Sequence, residues 1–181
     1  MTTLDSPVTS SPAPALRRLY FARFAFAVVW AGLLLLAGPG LGPLGVALVV
    51  LYPLVDVGAA VVDARSSRAG GPTTGLYANI AVSLIAAVGL AIAASSGVPA
   101  VLRVWGAWAI AAGLAQLAVG LVRRALGGQW PMILSGGISV LAGTSFLVMA
   151  GGADPALTSV AGYATLGGVF FLISALRLGR R

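Results

Sequence analysis

The chain has 181 residues, 59% of them hydrophobic and 8% charged, with a mean hydropathy of +1.02. Soluble domains carry about 25% charged residues, so this composition cannot dress a water-facing surface and excludes a soluble globular protein. The chain lacks Cys, His, Lys and Glu, and its side-chain carboxylates are Asp5, Asp56, Asp63 and Asp154. Disulfides, the usual zinc or haem ligand sets, a Ser-His-Asp triad and a catalytic lysine are thereby removed.

Residues 1–16 are rich in Ser, Thr and Pro, and residues 1–18 read as a disordered cytoplasmic tail ahead of one membrane domain, 19–181. A hydrocarbon core about 30 Å thick asks for roughly 20 apolar residues per helix. Six stretches meet that length, at 19–37, 43–63, 76–95, 99–122, 130–150 and 156–176. Their apolar runs are continuous rather than alternating, which argues against a β-barrel. The predicted fold is therefore all-α and polytopic, with six transmembrane helices. Arg17 and Arg18 ahead of the first run read as a retained anchor, because that run has full span length.

Arginine placement sets the orientation. Arg17, Arg18, Arg23, Arg65, Arg68, Arg123, Arg124, Arg177, Arg180 and Arg181 fall on one side of this arrangement, and Arg103 on the other. The bias predicts both termini in the cytoplasm, and Tyr20, Tyr77 and Trp130 mark the same interface. The net charge of +7 is explained by topology and by contact with anionic lipid headgroups on the cytoplasmic side, without nucleic acid.

The turns on the opposite side read GPGLGP (38–43), SSGVP (95–99) and GGADP (151–155), with Pro43, Pro99 and Pro155 spaced 56 apart and each able to open the next helix. Gly58, Gly113 and Gly168 follow at steps of 55, and Gly32, Gly89 and Gly143 occupy comparable places in the odd helices. The chain therefore reads as three tandem helical hairpins, about 19–65, 75–124 and 130–178, repeated in parallel rather than inverted orientation. The segments GLYANIAVSLIAAVGL (75–90), WGAWAIAAGLAQLAVGLVRR (105–124), WPMILSGGISVLAG (130–143) and GYATLGGVFFLISALRL (162–178) resemble the HdeD-like family of small six-span membrane proteins. The first hairpin departs most, with two prolines in its turn and Asp56 in its second helix. The resemblance implies a bacterial inner-membrane protein without catalytic residues, related in enteric bacteria to acid resistance.

Gly106, Gly113 and Gly120 fall seven apart on the fourth helix, and Ser135, Ser139 and Gly143 four apart on the fifth. Small residues at such spacings let helix backbones approach closely, so these six positions form the predicted packing faces. Asp56 lies about seven residues from the cytoplasmic end of its helix, hence roughly 10 Å deep. An ionised group there costs ~2.5–3.5 kcal/mol or more, so it should face the bundle or be protonated. Asn79 and Gln116 lie in the same half, and Arg23 offers a counter-charge. Asp56, Asn79, Gln116 and Arg23 thus form the candidate polar or ion-binding cluster, with an interhelical hydrogen-bond knot as the plainer reading. Arg103 is expected to snorkel to headgroups and Asp154 to cap or start a turn. Trp105 and Trp108 read as packing or interface anchors.

These readings predict no catalytic, cofactor or metal site. The leading expectation is a non-enzymatic accessory protein of the membrane, a homo-oligomer or a subunit of a larger complex. The second is a small transporter, channel or proton-responsive element built on Asp56, Asn79 and Gln116.

Overall fold

Long runs of Ala, Leu, Val and Ile become helices because a helix satisfies its backbone hydrogen bonds internally, whatever surrounds it. The computed structural model describes residues 13–67, 74–122 and 130–178, and every regular element in them is helical. The helices are α1 (Ala13–Ala37), α2 (Pro43–Ser67), α3 (Thr74–Ala93), α4 (Val98–Val122), α5 (Trp130–Met149) and α6 (Thr158–Leu178), with a short 3-10 turn at Ala94–Ser96. Five are long and apolar enough to cross a membrane, and α5 adds a shorter apolar stretch, Ile133–Met149. The prediction of six spans is thus met by five helices on length and composition.

Helix α1 begins at Ala13, so 13–18 belong to the first helix and not to the predicted tail. Residues 1–12 lie outside the described residues, as do Arg68, Arg123, Arg124, Arg180 and Arg181. Helix α1 and the 3-10 turn that follows α3 end where Gly38 and Gly97 take φ of 87° and 88°, a region that costs glycine little. Of the three register prolines, Pro43 is the first residue of α2 and Pro99 the second of α4, as expected at helix starts. Pro155 corrects the expectation, because α6 begins three residues later at Thr158. Here the Leu157 N–H is committed to the Pro39 carbonyl at 3.4 Å, tying this turn to the α1–α2 turn. Asp154 is exposed in the same turn.

Leu16 and Tyr20 near the start of α1, Asn79 near the start of α3, and Gln116 and Arg177 near the ends of α4 and α6 line one cavity. The starts of α1 and α3 and the ends of α4 and α6 therefore lie toward one arginine-bearing end of the bundle. Arg103 is exposed on α4, near the other. The closest seams are α4 on α5, α1 on α6 and α2 on α3. Contacts are fewer between α3 and α4 and between α1 and α2, and fewest between α5 and α6. The tightest pairing lies between the predicted hairpins, not inside them.

The α4–α5 seam shows what makes a seam tight. A Cβ built on Gly106 would stand 2.6 Å from the Gly143 carbonyl oxygen, and one on Gly143 would stand 2.6 Å from that of Gly106. Gly113 and Gly136 are related in the same reciprocal way at 2.7 Å. A step of seven along α4 is matched by a step of seven back along α5, as an antiparallel pair requires. Gly106, Gly113 and Gly143 thus lie in the predicted face, and Ser139 packs there too, its Cβ 2.9 Å from the Cβ position of Gly113. Ser135 instead lines the cavity, and the glycine that completes the seam is Gly136. For Gly120 only the helical backbone is described.

At the core, Trp30 and Trp105 stack with centroids 5.6 Å apart, and Tyr52 meets Trp30 edge-on at 4.7 Å. Trp108 stands perpendicular to Trp105 at 5.3 Å. Aromatic pairs of this kind contribute about 0.5–1.5 kcal/mol each beyond burial. Pro53 sits inside α2, where its missing N–H deprives the Val49 carbonyl of its usual donor. One residue earlier, the Leu48 carbonyl accepts a 2.7 Å hydrogen bond from Trp30 Nε1, pinning α1 to α2 at that turn.

Candidate functional site

Arg23, Asp56, Asn79, Ser83 and Gln116 gather in the arginine-bearing half of the bundle. Asp56, on α2 one turn after Pro53, accepts three charge-assisted hydrogen bonds. Arg23 of α1 donates to Oδ1 and forms an ion pair with it. Asn79 Nδ2 donates to Oδ2 at 2.8 Å, and the Ser83 hydroxyl donates to the same oxygen at 2.9 Å. The side chains of Arg23 and Asp56 are 21% and 12% exposed, so the pair is largely withdrawn from solvent. Hydrogen bonds to a charged group contribute about 1.5–3 kcal/mol each, enough to offset much of the cost of that withdrawal.

Two further contacts fix the geometry. The Arg23 guanidinium lies 4.1 Å from the centroid of Phe171 on α6, an arrangement that shields one face of the cation. Ser83 accepts from Trp108 Nε1 at 3.2 Å while donating to Asp56. A chain of donors thus runs from α4 through α3 to the carboxylate on α2, and α1 and α6 hold its counter-ion. Ser83 is fully buried. It stands four residues after Asn79, one helical turn along the same face, and that spacing is the signal that could have found it.

Of the predicted cluster, Arg23, Asp56 and Asn79 are in direct contact. Gln116 is not bonded to Asp56 but lines the same cavity, and its Oε1 is buried without a partner among the described residues. The cavity has a volume of about 480 Å³ and takes lining residues from all six helices. That size is within the range of small-molecule sites. Its inner end stops on Tyr52 and Trp108, behind which Trp105 is fully buried and Trp30 nearly so. Leu16, Tyr20, Pro131 and Arg177 line it at the arginine-bearing end of the bundle. The chamber is polar along α1 to α4 and largely apolar along α6.

On α6, Tyr163 donates a 2.9 Å hydrogen bond to Ser139 and meets Phe146 edge-on at 5.7 Å. Of the aromatics predicted for the interface, Tyr77 and Trp130 are exposed. Tyr20 is turned inward, with its ring 5.8 Å from that of Phe171. Trp105 and Trp108 are packing residues, and Trp108 also carries the bond to Ser83. Among the described residues no group of acidic, histidine or cysteine side chains is placed to hold a metal ion. No protein-family model, curated protein or solved structure matches the chain.

Proposed function

We propose that this chain is a non-enzymatic, multi-pass membrane protein whose cavity opens at the arginine-bearing end and binds a small ligand there, as a transporter-type or proton-responsive element. The observation that carries the reading is the convergence of Arg23, Asp56, Asn79 and Gln116 on a single chamber lined by six helices. Polar groups confined to a membrane segment are costly, and their usual use is a solute or proton path. A bundle held together for accessory contacts alone has no need of such a chamber, so the cavity favours ligand binding over the interaction role.

Positive-inside asymmetry supports a bacterial cytoplasmic membrane with the cavity mouth facing the cytoplasm. The recurrence of close seams at α2–α3, α4–α5 and α6–α1 supports three repeated hairpins around a common axis. The chain has no cysteine, so single thiols report cleanly. Ala112→Cys and Ser135→Cys, both lining the cavity, should react with a membrane-impermeant thiol reagent in inside-out vesicles and not in right-side-out ones. Leu48→Cys, in the core, should react in neither. If both cavity thiols stay unreactive from either side, the chamber is closed to water and the proposal fails. Asp56→Asn in liposomes carrying an entrapped pH dye then tests the proton-responsive form, which an unchanged response to an acid pulse would exclude.

A further inference from the structure

The seams around the bundle are not equally sealed. Helices α4 and α5 touch backbone to backbone, and on α6 the Cβ position of Gly168 lies 3.0 Å from Ala27 of α1. Between α5 and α6, the described hydrogen bonds and ring contacts lie at Ser139–Tyr163 and beyond it toward their connecting turn, at Phe146–Tyr163 and Met149–Ser159. From Ser139 to the arginine-bearing end, both helices line the cavity. Leu166 lines it and is 41% exposed, on the stretch of α6 where no described hydrogen bond or ring contact reaches α5. On the same two helices Leu134, Val169 and Ile173 are exposed and apolar. In a bilayer such a surface meets acyl chains, not water.

The two walls of the chamber differ in the same sense as a lipid does. Ile138, Leu166 and Phe170 present hydrocarbon beside the α5–α6 seam. Across from them are the polar residues, where Asp56 is already occupied by three donors and has little left to offer a cation. Arg177, exposed at the mouth, has no salt-bridge partner among the described residues. A guanidinium without a salt-bridge partner among the described residues, at the end of a slot with apolar walls, suits a phosphate joined to a hydrocarbon chain.

We infer that the cavity admits a phospholipid sideways between α5 and α6, with its phosphate at Arg177 and an acyl chain along Ile138, Leu166 and Phe170. This rests on the ligand-binding reading above and names its ligand class. Entry from the mouth by a water-soluble solute is the competing route, and the two are separable.

The test uses the full chain with Trp130→Phe, which removes the exposed tryptophan and leaves Trp30, Trp105 and Trp108, each 9% exposed or less. In vesicles containing phosphatidylglycerol with brominated acyl chains, an admitted chain quenches the emission of Trp108 by contact. Gly167 lines the cavity and a Cβ built there meets nothing within 4 Å, so Gly167→Leu, or the smaller Gly167→Val, places its side chain in the slot. Either variant should lose most of the quenching. Gly162→Leu, exposed on the same helix with equally open space, should retain it. Arg177→Gln should lower quenching by brominated phosphatidylglycerol and leave quenching by brominated diacylglycerol unchanged.

Full quenching in a folded Gly167→Leu or Gly167→Val protein overturns the inference. Weak quenching of the parent protein, with the Ala112→Cys thiol still reactive to an aqueous reagent, overturns it too but leaves the ligand-binding reading standing. Weak quenching with an unreactive thiol overturns both.

Discussion

Gly136 and Gly137 are adjacent in α5, and alanine at the two positions should have opposite effects. At Gly136 a Cβ would stand 2.7 Å from the Gly113 carbonyl oxygen and 3.0 Å from the Leu117 backbone nitrogen. Ordinary contact begins near 3.4 Å, so the α4 and α5 backbones would have to separate by about 0.7 Å, and neither atom is the flexible end of a side chain. Overpacking of this kind costs ~1–3 kcal/mol. At Gly137 nothing lies within 4 Å, and alanine gains up to ~1 kcal/mol of helix propensity. The propensity gain is common to both positions, so the neighbouring variants should differ by the overpacking cost alone, about 1–3 kcal/mol in unfolding free energy. Denaturant-driven unfolding in mixed micelles, followed by the emission of the buried tryptophans, measures the difference. Gly113→Ala combined with Gly136→Ala should cost less than the sum of the two, because both open the same contact. Equal stabilities for Gly136→Ala and Gly137→Ala, within about 0.5 kcal/mol, would refute the close approach of α4 to α5.

Other perturbations probe the polar half. Asp56→Ala strips the acceptor from Arg23, Asn79 and Ser83 and should destabilise by ~3–5 kcal/mol, with most of the loss recovered when Arg23→Leu removes the stranded cation. Ser83→Ala breaks the link from Trp108 to Asp56 and should cost about 1–3 kcal/mol, with a shift in tryptophan emission as the direct readout. Trp30→Phe removes the donor to the Leu48 carbonyl, and the same unfolding assay should show a loss of about 1–3 kcal/mol. Tyr163→Phe deletes one hydroxyl at the α5–α6 seam, and amide exchange should quicken in α5 and α6 while α2 and α3 keep their protection.

The helices were legible because continuous apolar runs of span length leave the backbone few alternatives, and five of the six stretches fulfil that reading directly. Arg23, Asp56 and Asn79 were legible as a group for a related reason: few polar side chains lie deep in the spans, and they must find one another. Side-chain directions were harder to read. Taking Ser135, Ser139 and Gly143 at steps of four turned the predicted face of α5 by one position and hid Gly136. The observed contact uses steps of seven on both helices, a relation visible only once the antiparallel partner and its register are known. Ser83 escaped because a serine in a run of aliphatic residues is unremarkable without the carboxylate opposite it. The pairing of α1 with α6 has no local signal, since it joins the two ends of the chain.

That last pairing has a consequence for the order in which the protein is made. Apart from α1 with α6, the closely packed seams join helices adjacent in the chain, so each can form as soon as its second member is synthesised. Asp56 can acquire Arg23, Asn79 and Ser83 once α3 is complete. Phe171, which covers the Arg23 guanidinium, arrives only with α6. Until then the first helix carries an uncovered cation and an open flank, and the growing chain is an incomplete arc. Closure of this flank waits for α6, and a nascent chain stalled before it would present Arg23 and the flank around Phe24 and Ala27 to any quality-control machinery that surveys unassembled membrane helices.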